Sequence, residues 1–221
     1  MASDPGFSVE KLFPAFSDKH DSSGVITGHY FRHGLLVAQK TYTRNPGKHV
    51  EIASRIDGFV THVATFREIE VFNIRPVISK TTNIKFSKGD LNAEGLGLAK
   101  QFGAISRLHA IEHFGLGRHN DPIDALGHVK GLNNLTELLK KGGILYLSTP
   151  MGRQRVEFNA QRVFALSYLL KLFADKFSIA DFAYADDSGD LQENVARTVE
   201  KMIGENVGCS YGCAIFELVK L

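Results

Sequence analysis

The stretch HVEIASRIDGFVTHVATF, residues 49–66, decides the fold. His49 to Ile52 form a short apolar run, with Val50 and Ile52 as its apolar members, and a polar turn bearing Gly58 follows. Beyond the turn, Phe59, Val60, Val63 and Phe66 share one face of a predicted amphipathic helix. A strand, a tight turn and a helix in that order make the half-unit that holds nucleotide-like ligands in open α/β sheets. The turn presents backbone N–H groups at a helix start, and an acid at the strand end can hold a ligand's polar groups.

Downstream, strands and helices alternate. EIEVFNIRP (68–76) reads as a second strand and NIKFSKGDL (83–91) as a third, with no room for a full helix between them. FGAISRLHAIEHFGLG (102–117) begins as a buried strand and ends in a histidine-rich loop. Apolar residues from Leu126 to Leu139 trace a helix over 124–141, which Lys140 and Lys141 suit and Gly142-Gly143 stop. GGILYLSTP is a fifth strand. Val163 to Phe173 mark a helix, KFSIADFAYA a sixth strand, Leu191 to Ile203 another helix, and CAIFELVKL the last strand, which can run antiparallel to its predecessor. Strands alternating with helices predict an α/β sandwich around a mostly parallel sheet. Upstream, Val9, Leu12, Phe13 and Phe16 line a short helix interrupted by Pro14, a turn-rich loop follows over 21–28, and a helix over 29–43 ends at Asn45-Pro46-Gly47. Residues 1–46 are therefore expected to form a helical cap on an α/β domain spanning 47–221.

Composition narrows the field. A chain of 221 residues supports one substantial domain. The net charge of +2 comes from scattered basic residues, which argues against nucleic acid or a basic membrane helix as partner. No apolar run is long enough to insert into a membrane, and the N-terminus lacks the pattern of a secretory signal. Cys209 and Cys213 lie too far apart along a strand for an easy disulfide. They read as reduced, packed thiols of a cytoplasmic protein.

The order of motifs resembles the class I S-adenosylmethionine-dependent methyltransferases over roughly residues 48–221. VEIASRIDGF looks like that family's glycine-rich first motif, with Glu51 in the acidic position. VFNIRP places Asn73 where an acid usually holds the ribose hydroxyls, and SKGDL puts Asp90 in an adenine-flanking position. AIEHF resembles the element after the fourth strand, and LLKKGGILYLSTP the turn and strand that follow. HVEIASRIDGFV, EHFGLGRHNDPID and MGRQRVEFNAQRVF are most similar to the DUF268 subgroup, often associated with bacterial surface-glycan gene sets. The resemblance implies a three-layer α/β/α sandwich of Rossmann-like methyltransferase type, with a seven-stranded sheet and an N-terminal helical extension. It implies S-adenosylmethionine as cofactor, held by Glu51, Ala53, Ser54, Asp57, Gly58, Asn73, Asp90, Leu91 and Leu108. It also implies O-methylation of a sugar, nucleotide-sugar or similar small polar metabolite. The frame departs from the family where Ala53, Arg55 and Asp57 replace glycines, Gly58 stands one place late, and Asn73 lacks a charge.

Methyl transfer to a hydroxyl often needs a base. His113 and Glu112 follow the fourth strand at the carboxyl edge, where α/β sites form, and either can serve; His109 is the next candidate. The alternative is that Glu112 and His113 only orient the loop. Arg118, His119, Asp121, Asp124 and His128 crowd the next loop as a substrate lid, or else form a turn and a helix cap. Its spacing matches no metal motif, so no metal is expected. Arg153, Arg155 and Arg162 can grip phosphate or carboxylate, and Glu157 and Asn159 can read sugar hydroxyls; the other reading is a solvated loop. His20, His29, His33, His49 and His62 are expected at the surface or in packing. A competing function is a catalytically silent methyltransferase-like binding or scaffold protein. A nicotinamide dehydrogenase is disfavoured, because no G-x-G-x-x-G follows a predicted strand. The N-terminal helices are expected to cover the site or to make a homodimer contact.

Overall fold

A computed structural model describes residues 6, 10–14, 16, 18–53, 56–73, 81–88, 101–118, 122–158, 160–193, 195 and 203–221. Helix α1 spans His29–Arg44, and its C-terminus closes on Asn45 in the left-handed region, whose N–H donates to the Thr41 carbonyl. Strand β1 (His49–Ile52) is buried at all four positions, as befits a strand covered on both faces. Its chain then turns at Ala53, whose φ of 63° lies where glycine is usual. A π-type turn over Ile56–Val60, kinked at Gly58, leads into the short α2 (Thr61–Ala64). The predicted apolar face holds for Phe59, Val60 and Val63, all buried, whereas Phe66 is partly exposed and meets the edge of Tyr42.

Strands β2 (Ile69–Asn73), β3 (Ile84–Lys88), β4 (Phe102–Leu108) and β5 (Leu139–Met151) follow. The short hairpin strands β6 (Arg155–Glu157) and β7 (Gln161–Val163) come next, then β8 (Phe177–Ala185), β9 (Leu191–Gln192) and β10 (Gly212–Lys220). The main sheet has the order β3-β2-β1-β4-β5-β10-β8-β9. Strands β1 to β5 pair in parallel, while β10 runs antiparallel to both β5 and β8. The strand order reverses between β1 and β4, a switch point of the kind at whose carboxyl ends open α/β sheets take their ligands.

Each face of the sheet is covered. On one face Leu36, Val37 and Ala38 of α1 pack with Phe59, Val60 and Val63 on Val71, Ala104 and Ile215. On the other, Leu132, Leu135 and Leu138 of α3 (Gly127–Leu138) and Leu166, Leu169 and Phe173 of α4 (Leu166–Phe173) cover Val50, Ile105 and Phe216. This is the three-layer α/β/α sandwich. A charge cluster ties α1 to the sheet: Glu217, nearly fully buried, meets Arg44 at 2.8 Å, and Lys40 reaches Asp181 at 2.5 Å. No described helix is long and apolar enough to cross a membrane.

Four expectations are corrected. The main sheet has eight strands, not seven. The added β9 forms because Asp186 Oδ1 accepts from the N–H groups of Ser188 and Asp190, and Gly189 takes φ 82°, which reverses the chain after β8. Leu191, expected to open a helix, is therefore in a strand; Val199 and Met202 lie outside the described residues. Helix α3 runs from Gly127 to Leu138, shorter than 124–141, because Leu139 already pairs with Phe102 and the chain bulges through Gly142-Gly143. The carbonyls of Thr136 and Leu139 at its end accept from Lys220, so Lys140 and Lys141 do not fill that role. The described part of residues 10–20 carries only a 3₁₀ turn at Asp18–His20, and Leu12, Phe13 and Phe16 are exposed. Pro14 interrupts that pattern, no apolar surface of the described residues receives it, and Val9 lies outside them.

Ala53 holds a left-handed conformation that costs an L-residue about 1–2 kcal/mol. Ala53→Gly is therefore expected to stabilise the protein by about 1 kcal/mol after glycine's greater unfolded-state entropy is counted. A urea midpoint that falls would contradict this.

Candidate functional site

The end of β4 carries the site. His109, the first residue after the strand, sits at φ 50°, a conformation histidine rarely adopts without a surrounding that enforces it. Its N–H donates to the Ser148 carbonyl at 3.1 Å, which continues the β4–β5 pairing and fixes the strained turn. The 3₁₀ turn Ile111–His113 follows and points Glu112 inward, fully buried. One carboxylate oxygen of Glu112 lies 2.9 Å from His109 Nδ1 and 4.0 Å from His113 Nε2. His113 Nδ1 is 2.9 Å from the Ala160 carbonyl, to which it donates, so the assigned tautomer leaves the lone pair on Nε2.

Helix α1 brings the opposite wall. His29 and His33 are one turn apart on the same helix face. His29 stacks on His109 at 5.2 Å and on Tyr211 at 5.4 Å, and Tyr30 lies 5.1 Å from the His109 ring. His33 Nδ1 is 3.0 Å from Ser148 Oγ and 4.0 Å from Cys213 Sγ, while His109 Nε2 is 3.2 Å from that sulfur. Three histidines and a cysteine from α1, β4 and β10 thus meet under Tyr30 and Tyr211.

Their environments separate their protonation. Burial pushes His29 down to about 4, with the neighbouring His109 adding to the shift. His33 is held well below the ordinary histidine value by burial and then by His109 and His29. Burial also opposes charge on His109, but Cys213 and Glu112 flanking its ring outweigh it and raise its pKa well above the ordinary value. Elsewhere burial lowers His49 to about 3, with Arg67 contributing, and His128 to about 4, with Arg162 contributing.

These shifts set the acid response. A histidine with a depressed folded pKa binds its proton first in the unfolded chain, so stability rises with pH across that window. His29, His33, His49 and His128 therefore favour unfolding as the pH falls from about 6.5 toward 4. His109 acts in the opposite sense: its contribution is full below about 6.5 and is lost as the pH rises through its raised value. Four against one, the urea midpoint is expected to drop clearly between about pH 7.5 and pH 5. An unchanged midpoint would show that these rings are not buried as described.

The remaining expected residues divide sharply. Glu51 is fully buried within β1 and accepts from Ser106 Oγ, which also meets His49 Nε2 at 3.0 Å. Asn73 closes β2 at the carboxyl edge. Leu108 packs in the core on the α1 side. Arg155 forms a two-point ion pair with Glu157 at 2.6 and 3.0 Å, so each neutralises the other. Arg162 is buried and donates to the carbonyls of Phe114 and Ala125, clamping the loop after β4. Asp124 accepts from the Leu126 N–H and from Lys130, which makes the turn before α3, while the helix cap itself falls at Leu126 without a side-chain hydrogen bond, so the expected capping role is not taken. Arg118 is exposed and donates to the Ala160 carbonyl beside His113, and Arg153 is exposed on the turn before β6. His128 meets the Tyr168 hydroxyl at 2.7 Å. Ser54, Asp90, Leu91, His119, Asp121 and Asn159, with the side chain of Asp57, lie outside the described residues. His29, His33 and Cys213 join the site although none was expected there. The i,i+4 pair His29/His33 was the one signal in the sequence that pointed to them.

The β1 turn fits a nucleotide-type methyl donor in part. Ala53 already takes the backbone conformation that a glycine would. A Cβ built on Gly58 would meet nothing within 4 Å among the described residues.

Strand order, the switch point and the antiparallel β10 define a Rossmann-like methyltransferase fold. Solved structures agree: the N-methyltransferase NodS from Bradyrhizobium japonicum WM9, in complex with S-adenosyl-L-homocysteine, is 11% identical with a TM-score of 0.57, covering 87% of this chain and 88% of its own. A geranyl diphosphate methyltransferase in complex with S-adenosylmethionine is 8% identical with a TM-score of 0.59, covering 86% and 85%. The [4+2]-cyclase SpnF is 14% identical with a TM-score of 0.57, covering 86% and 80%. No curated protein matches the sequence. Residues 50–204 match the family described as "Caenorhabditis protein of unknown function, DUF268", and the chain belongs to that family.

Proposed function

We propose that the chain is an S-adenosylmethionine-dependent methyltransferase acting on a hydroxyl of a small polar acceptor of the sugar or nucleotide-sugar class. The observation that carries this is the juxtaposition at one edge of a methyltransferase-type sheet: a glycine-like turn at Ala53 after β1, and the Glu112–His113 pair after β4. Ala53, Gly58 and Asn73 would hold the cofactor, together with Asp57. When bound, S-adenosylmethionine supplies an electrophilic methyl on a sulfonium. His113 Nε2 takes the acceptor's hydroxyl proton as the oxygen gains the methyl, and the Glu112 oxygen 4.0 Å away stabilises the resulting imidazolium. His109 is less suited to that task, being buried, held protonated and turned toward Cys213. Arg118 and Arg153, exposed at the same edge, suit an anionic group on the acceptor. The free, buried cysteines support a reducing compartment such as the cytoplasm.

A second reading, a silent relative that binds without transferring methyl, has its own support. Arg55 and Asp57 replace glycines in the first motif, and a cyclase shares the fold, so fold does not dictate methyl transfer. A transfer assay separates the two. With labelled S-adenosylmethionine and a panel of nucleotide-sugars, label is expected in at least one acceptor and lost in His113→Ala; cofactor binding without transfer to any panel member would favour the silent reading.

A further inference from the structure

We propose that His29, His109 and Cys213 form a binding site for one divalent transition-metal ion of the zinc class, a site independent of methyl-donor binding. Each residue offers one donor atom, and the three donors lie within 4.8 Å of one another. Around a tetrahedral zinc ion, a sulfur and a nitrogen ligand stand about 3.6 Å apart, given metal–ligand bonds of about 2.3 and 2.0–2.1 Å. The observed separation of 3.2 Å between Cys213 Sγ and His109 Nε2 is close to that, and a small outward motion of one ring admits the ion. The donor set, two imidazoles and a thiolate, is borderline-soft and favours zinc or cobalt over magnesium or calcium.

The surroundings are built as metal sites are. A ligating histidine usually donates its second ring N–H to a carboxylate or a main-chain carbonyl, which fixes its tautomer and aims the other nitrogen at the ion. His109 does this through Nδ1 to Glu112 at 2.9 Å, which leaves Nε2 facing Cys213. His29 makes a main-chain hydrogen bond to Tyr211. His33 completes the wall, its Nδ1 4.0 Å from the same sulfur and hydrogen-bonded to Ser148. The His109–Glu112–Cys213 geometry also resembles a thiol nucleophile with its base, but Cys213 is fully buried beneath His29 and Tyr211. An ion reaches such a sulfur where an acyl substrate does not. Three protein donors leave a fourth coordination position for water or a ligand.

Cobalt reports the site directly. Full-length protein, reduced and stripped with a chelator, is titrated with Co²⁺ and its absorption followed. The expected result is a one-to-one endpoint with tetrahedral d–d bands and a thiolate-to-cobalt charge-transfer band, both lost on adding zinc. Cys209→Ser, which alters the other cysteine, is expected to keep the band, and Cys213→Ser to lose it. His29→Ala, at a half-exposed helix start that leaves the sheet intact, should weaken binding severely, and Glu112→Gln by roughly 10–100-fold. A wild-type titration with no charge-transfer band and no stoichiometric endpoint overturns the proposal. So does a band that survives Cys213→Ser or disappears in Cys209→Ser.

Discussion

His113→Ala is expected to lower the methyl-transfer rate by roughly 10²–10⁴-fold while S-adenosylmethionine affinity stays unchanged. The expectation rests on where the ring is held. Nδ1 is tied to the Ala160 carbonyl at 2.9 Å, and Nε2 is 4.0 Å from Glu112, so only Nε2 is placed to accept a proton. The ring stands after β4, whereas the residues proposed to hold the cofactor follow β1 and β2, which is why cofactor affinity should be spared. Glutamine at this position keeps a donor for Ala160 but offers no comparable base, so His113→Gln should fold as the wild type does and still transfer slowly. A rate within a few-fold of wild type in both variants would return His113 to a loop-orienting role. Paired kcat and cofactor-titration measurements decide it.

The second large effect is structural. A Cβ built on Gly115 would stand 2.0 Å from the Asp124 carbonyl oxygen, and Gly115 itself takes φ 71°. The same carbonyl-rich corner is pinned by the Asp124 N–H donating to Gly115 O at 2.9 Å and by Arg162 donating to Phe114 and Ala125. Gly127 closes against Gly115 so tightly that its own Cβ would come within 2.8 Å. Gly115→Ala therefore adds backbone strain and a collision with atoms that have no room to retreat, for a cost of order 3 kcal/mol. For a chain of this size that lowers the melting temperature by about 6–12 °C. Gly142→Ala makes the control: its φ of 72° is similar, but nothing lies within 4 Å of its added Cβ. Its loss should be near 1 kcal/mol, the strain alone. Equal losses in the two variants would mean that the loop after β4 is not packed as tightly as described.

How much of this was legible follows from which forces are local. Strand β1 was read at its true bounds, His49–Ile52, because an apolar run ending at a polar turn is a local signal. Helix α1 stops where Asn45-Pro46-Gly47 says it must. The end of α3 was misread because Leu139 is equally good on a helix face and in a strand, and only its pairing with Phe102 decides between them. Strand β9 was missed because Leu191 fits the spacing of a helix running toward Ile203; the Asp186 turn and pairing with β8 place it in a strand instead. At the site, Glu112 and His113 were visible as a local motif, and so was His109 beside them. The meeting of His29, His109 and Cys213 was not, since it depends on α1, β4 and β10 folding onto one another across 184 positions of chain, from 29 to 213. Arg155, Glu157 and Arg162 were read as ligands because their type fits anions and hydroxyls. The fold instead uses them on each other and on main-chain carbonyls.

The turn after β1 is proposed to hold a methyl donor although Ala53, Arg55 and Asp57 stand where glycines are expected. Calorimetric titration of the purified full-length chain with S-adenosyl-L-homocysteine and S-adenosylmethionine tests it most directly. A saturable one-to-one isotherm is predicted for both, weakened up to about tenfold by Asn73→Ala, the loss of one hydrogen bond at the end of β2. No heat of binding at millimolar cofactor, with the protein folded, would contradict the account.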